Sequence, residues 1–170
     1  IWVMLIGFYG LLFLTHKLAN SAWGLLGVFA LTGFMGYTLG PILNMYMATA
    51  GGSQLVMSAL GGTAFIFFGL SGYALISRKD FSFLSGYMVA GFFVILAAMI
   101  ANIFLQIPAV QLAISAAFML FSSAAILMQT GAIINGGERN YILATVTLFV
   151  SLYNIFISLL NLLTAFGGDE

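Results

Sequence analysis

The chain has 170 residues, with four Lys or Arg, four Asp or Glu, and a formal net charge of zero. Charged residues are 5% of the total and apolar ones 63%, where an ordinary soluble domain is about 25% charged. Too few charges remain to keep a soluble surface dispersed, so the composition excludes a soluble domain and makes this an integral membrane protein. The absence of cysteine and the presence of one histidine exclude disulfides, thiolate catalysis, iron–sulfur clusters and Cys-type zinc sites. With no basic run to follow a phosphate backbone, nucleic acid is excluded as a partner.

A membrane-crossing helix needs about 20 mostly apolar residues, so the length accommodates six with short connections. The first apolar run, at 1–15, is short and begins abruptly at Ile1. It has neither the charged flank nor the cleavage site of a signal peptide, and the expectation is that an N-terminal piece, including another helix, is missing. His16 to Ser21 breaks this run, and the next follows at 22–48. Thr49 to Gln54 is the second break, followed by a run at 55–76. Ser77 to Asp80 separates that from 81–105. A weaker break at Gln106 to Gln111 precedes 109–134, and Asn135 to Asn140 precedes 141–166. Stretches such as Phe65-Ile66-Phe67-Phe68 do not alternate as transmembrane strands do. The reading is an all-α bundle of six spanning helices, forming one domain over residues 1–170 with no internal repeat.

Six spans place the breaks on alternating sides. Lys17, Arg78, Lys79 and Arg139 then fall on one side, while the other breaks and the C-terminal GGDE carry no Lys or Arg. The positive-inside rule makes the basic loops cytoplasmic. Both Ile1 and the C-terminus then lie outside, which is the periplasm in a bacterial inner membrane.

Few residues carry potential chemistry. Gly69-Leu70-Ser71-Gly72 matches the G-x-S-G of intramembrane serine proteases, but a serine nucleophile needs a base within hydrogen-bond reach. His16 lies in a loop at the membrane edge, so Gly69 and Gly72 read instead as small residues at a helix contact. Asp80, Glu138, Asp169 and Glu170 all lie outside the spans, which removes intramembrane aspartyl proteolysis and leaves no metal site; no cofactor is expected. The neutral polar residues within the spans are Asn44, Asn102, Gln106, Gln129, Thr130, Ser151, Asn154 and Asn161. They read either as interhelical hydrogen-bond partners or as the lining of a narrow polar path. Gly36 and Gly40 make a small-xxx-small face, and Pro41 frees the Tyr37 carbonyl and predicts a kink, with Asn44 one turn on to compensate.

Three stretches resemble the Bax-inhibitor-type (transmembrane Bax inhibitor motif) family, and within it the bacterial modulators of the FtsH membrane protease. They are Gly36-Tyr37-Thr38-Leu39-Gly40-Pro41-Ile42-Leu43-Asn44, Ala101-Asn102-Ile103-Phe104-Leu105-Gln106-Ile107-Pro108-Ala109, and Asn140-Tyr141-Ile142 onward to Val150-Ser151-Leu152-Tyr153-Asn154-Ile155-Phe156. The resemblance implies seven helices, six around a central one, with the first missing from this chain. Many family members pair two intramembrane aspartates that gate a calcium leak. The matching positions here lie at or near Met128, beside Gln129 and Thr130, and at Ser151, so both acids are absent.

The expected function is therefore a non-enzymatic multi-pass protein that binds lipids on its flanks and binds and inhibits the FtsH complex, with Gly36, Gly40, Gly69 and Gly72 setting a tight bundle. The alternative is an ion or solute leak lined by Asn44, Asn102, Gln129, Ser151 and Asn154, weakened by the missing acids.

Overall fold

A computed structural model describes residues 2–167; Ile1 and the acids at 169 and 170 lie outside the described residues. Six helices follow in order: α1 (Trp2–Lys17), α2 (Trp23–Met47), α3 (Gly52–Ser77), α4 (Leu84–Leu105), α5 (Pro108–Ile134) and α6 (Tyr141–Gly167). Five of them, α2 to α6, are long and apolar enough to cross a membrane. Helix α1, at 16 residues, rises about 24 Å at 1.5 Å per residue, short of the roughly 30 Å hydrocarbon layer. The protein is a multi-pass membrane protein in which the expected six spans appear as five full-length helices and one shorter helix.

The helix boundaries follow from local chemistry. Gly51, at φ 74°, turns the chain from α2 into α3 in the left-handed region, where a side chain is disfavoured. Helix α4 ends when Gln106 adopts a left-handed conformation and its N–H donates to the Asn102 carbonyl at 2.8 Å. The Asn102 Oδ1 accepts from the Ile107 N–H at 3.0 Å. Pro108 then starts α5 at a position where its missing N–H costs nothing. Asn140 opens α6: its Oδ1 accepts from the N–H groups of Ile142 at 3.0 Å and Leu143 at 3.2 Å, as an N-cap does.

Helix α6 lies at the centre. It packs most extensively on α5, then on α3 and α2, while α1 lies against α2, and α4 against α5. The outer helices thus form an arc in the order α1, α2, α3, α5, α4. No extensive contact joins α1 to α4 or α5 among the described residues, so the arc is open along one side of α6. Two apolar clusters succeed each other along the central helix. Leu31, Met35 and Val146 form one with Phe8, Leu11 and Phe149. Val56, Ala59, Phe156 and Leu160 form the other with Leu39, Leu43 and Leu163. Large apolar side chains face outward elsewhere, including Phe65, Ile76 and Phe104, each more than 80% exposed. Lipid is the natural solvent for such a surface.

Hydrogen bonds place the three basic loops together. Asn135 Nδ2 donates to the Lys79 carbonyl at 3.3 Å, and Asn140 Nδ2 donates to the Ala19 carbonyl at 3.0 Å and to Asn20 Oδ1 at 3.1 Å. Lys17, Arg78, Lys79 and Arg139 therefore share one end of the bundle, as alternating spans require.

The packing role expected of four glycines takes a different form. A Cβ built on Gly36, Gly40, Gly69 or Gly72 meets nothing within 4 Å, so none of them sits in a close helix contact of this chain. Close approach occurs instead at Gly24, where a Cβ would strike the Ile142 side chain and come within 2.6 Å of the Leu18 carbonyl oxygen. At Gly27 it would lie 2.8 Å from Thr15 Oγ1, and at Gly131 2.9 Å from the Phe81 ring. An apolar helix presents glycines to lipid as readily as to a neighbour, and spacing alone does not tell the two apart.

Candidate functional site

The central helix carries a polar row. Asn154, Ser158 and Asn161 are four and three residues apart, which puts them on one face of α6. They face a cavity of about 470 Å³ bounded by α4, α5 and α6. Asn102 and Met99 of α4 and Gln111, Ser115 and Phe118 of α5 line its other walls, and Tyr153 closes it along α6. A second cavity of about 510 Å³ lies on the far side of Tyr153 and Asn154, between α1, α2 and α6. That one is mostly apolar, with Phe8, Phe34, Met35, Pro41 and Ile42 in its wall and Thr38 as a polar exception. The Thr38 Oγ1 and Tyr153 hydroxyl lie 3.5 Å apart where the two cavities come nearest.

The first cavity reaches the bundle end opposite the basic loops. Asn102 and Gln111 flank the α4–α5 turn there, with the Asn102 Nδ2 donating to Gln111 Oε1 at 3.4 Å. The Tyr46 hydroxyl at the end of α2 donates to Asn161 Oδ1, fixing the last turns of α6 to α2. From that end the cavity runs inward to Asn154, near the middle of the 27-residue α6.

The structure brings together only part of the expected polar set. Asn102 and Asn154 share the first cavity. Ser151 is buried, but its Oγ donates to the Thr147 carbonyl of its own helix at 2.8 Å, so the hydroxyl is satisfied internally. Gln129 keeps Nε2 buried without a partner and lines neither cavity. Asn44 is exposed on α2 and makes no side-chain hydrogen bond among the described residues. It therefore does not compensate Pro41, although α2 runs unbroken through that proline. A single path through all five residues is not formed. Gln111, Ser115, Tyr153 and Ser158 are the lining residues that sequence reasoning passed over, and the four-residue step from Asn154 to Ser158 was the available signal.

The G-x-S-G stretch makes no catalytic pair. Ser71 Oγ is buried without a hydrogen-bond partner, while His16 is exposed and its Nδ1 pairs with the Leu12 carbonyl at 2.9 Å.

The family model described as inhibitor of apoptosis-promoting Bax1 matches residues 1–168. An uncharacterised protein of Pseudomonas aeruginosa is 64% identical over 170 residues, covering all of this chain and 77% of that protein. The Escherichia coli K12 modulator of FtsH protease YccA is 60% identical over 159 residues, which is 94% of this chain and 72% of that protein. The inner membrane protein YccA of Escherichia coli O6:H1 shows the same 60% identity and the same coverage.

Proposed function

The chain belongs to the Bax inhibitor family, and from that premise we propose that it is a non-enzymatic inner-membrane protein that binds the FtsH protease and modulates its activity by inhibition. The single observation that carries this reading is the 60% identity, over 94% of the chain, to a protein named as a modulator of that protease. The fold supplies a physical means. A processive membrane protease must pull its target out of the bilayer, and α6 resists this because four helices or their loops hold it. Leu160 and Ile155 are fully buried in it, Asn140 ties its start to the α1–α2 loop, and Tyr46 ties its end to α2. A target that engages the protease but extracts slowly occupies it.

The orientation belongs to the same reading. The end bearing Lys17, Arg78, Lys79 and Arg139 is cytoplasmic and the cavity mouth periplasmic, as the positive-inside rule directs. Seven helices in all, six of them around α6 and the first outside this chain, are also part of it. That further helix would complete the arc on the side of α6 that is open here.

The test is co-purification of the full-length protein with FtsH from detergent, alongside turnover of another membrane substrate of the protease. Co-purification and slowed turnover are expected. No association, together with unchanged turnover, would sink the reading.

A further inference from the structure

The cavity between α4, α5 and α6 has the chemistry of a binding site for a small uncharged ligand. Hydroxyls inside membrane helices commonly satisfy themselves by donating to the carbonyl one turn back. Thr15, Thr63, Ser123, Ser151 and Thr164 all do so here, at 2.7–2.8 Å to the residue four earlier. Ser71, Ser77, Ser115 and Ser158 do not, and of these four only Ser115 and Ser158 line this cavity. Each of those two is 5% exposed and forms no hydrogen bond among the described residues. The Asn154 carboxamide, deeper in the same cavity, is likewise without a partner. Two buried hydroxyls and one amide thus present unused donors and acceptors to a common space.

Unsatisfied polar groups at membrane depth cost free energy that lipid cannot return, so a hydrogen-bonding occupant is favoured over an acyl chain. The volume of about 470 Å³ lies within the range of small-molecule pockets. No Asp, Glu, Lys, Arg or His lines it. An ion entering would lose hydration with no countercharge to replace it, whereas amides and hydroxyls match the alternating donors and acceptors of a polyol or an amide.

We propose that the Asn154–Ser158–Asn161 face of α6, with Ser115 and Asn102 opposite, binds a small uncharged hydrogen-bonding solute of the polyol or amide class. The solute enters from the bundle end opposite the basic loops. This site does not depend on the protease reading and stands or falls separately.

The absence of native cysteine allows a direct test in the full-length protein reconstituted in lipid nanodiscs. Ser158→Cys is nearly isosteric, and methanethiosulfonates react with the thiolate, which forms in a wet site and not in lipid. The neutral hydroxyethyl methanethiosulfonate should label Ser158→Cys within about tenfold of the exposed control Ser53→Cys, and at least a hundredfold faster than lipid-facing Ile100→Cys. Glycerol or urea should slow labelling of Ser158→Cys at least threefold and leave Ser53→Cys unchanged, while potassium and calcium chloride should not protect it. Labelling as slow as at Ile100→Cys overturns the proposal. So does labelling that neither neutral probe slows, or that a salt slows more than either. Should Ser158→Cys fail to fold, Ser115→Cys reads the same cavity from α5 with the same expected outcomes.

Discussion

Helices α4 and α6 are both long and apolar enough to cross a membrane and hold opposite positions in the molecule. Helix α4 is the most apolar of the six, yet among its 22 residues Ile95 alone is buried. Helix α6 is less apolar than α4 and more buried than any other span, and it carries Ser151, Asn154, Ser158 and Asn161. In water the more apolar helix would be the inner one. In a bilayer the lipid is as apolar as any side chain, so hydrophobicity gives no inward preference, and packing and hydrogen bonding decide which helix is central. The polar residues of α6 are therefore the better sign of its position.

The largest expected difference between the two helices comes from truncating an apolar side chain in each. Leu160 is fully buried against Val56, Ala59 and Phe156. In a soluble core Leu→Ala costs about 2–5 kcal/mol, part transfer and part cavity. Lipid removes most of the transfer part, leaving about 1–3 kcal/mol for lost contacts. Ile100 on α4 is 51% exposed, and Ile100→Ala should cost less than about 0.5 kcal/mol. Unfolding of the purified protein by titration with SDS from mixed micelles measures both. Equal losses would mean that α4 is covered in the folded protein, and the contrast between the helices would fail.

The sequence made the helices legible because polar and turn residues interrupt apolar runs where the chain leaves the membrane. The run expected at 109–134 is α5, Pro108–Ile134, and that at 141–166 is α6, Tyr141–Gly167. Helix α3 starts three residues before the expected 55, since Gly51 and Gly52 look like a loop while Gly52 already begins the helix, and α4 starts three residues after the expected 81. Which face of each helix looks inward was much less legible. Helices apolar all round have no strong amphipathic stripe to fix their rotation, so Gly36, Gly40, Gly69 and Gly72 could not be distinguished from Gly24, Gly27 and Gly131. The polar set failed for a related reason. Asn102 and Asn154 line one cavity from different depths, Asn102 at its mouth and Asn154 at its inner end, while Ser151, one turn before Asn154, donates within its own helix.

Glycine substitutions sharpen the comparison at an intermediate scale. Gly24 abuts the first turn of α6 at Ile142 and the rigid Leu18 carbonyl, so Gly24→Ala forces backbone movement and should cost about 1–3 kcal/mol. Gly86, in α4, has open space where a Cβ would be. Gly86→Ala should be neutral or stabilising by up to about 1 kcal/mol, from helix propensity alone. Thermal unfolding in a single detergent compares the two. A loss at Gly86 as large as at Gly24 would show that α4 has a close neighbour.

The smallest expected difference concerns hydrogen bonds at the end of the bundle opposite the basic loops. The Tyr46 hydroxyl donates to Asn161 Oδ1 of α6 within a half-buried contact, and Tyr46→Phe removes the donor with little change of shape. Interhelical side-chain hydrogen bonds in membrane proteins average about 0.6 kcal/mol and reach about 1.7, so a loss within that range is expected. The comparable bond at α4, from Asn102 Nδ2 to Gln111 Oε1, is exposed and 3.4 Å long, near the limit at which such a bond counts. Gln111→Ala should therefore cost less than about 0.3 kcal/mol, because water at the membrane edge replaces what is lost. The same SDS titration resolves the pair if the Tyr46→Phe midpoint falls and the Gln111→Ala midpoint does not. The reverse order would place the structural anchor of this end on α4, and α6 would then be central in position without being the helix that holds the bundle together.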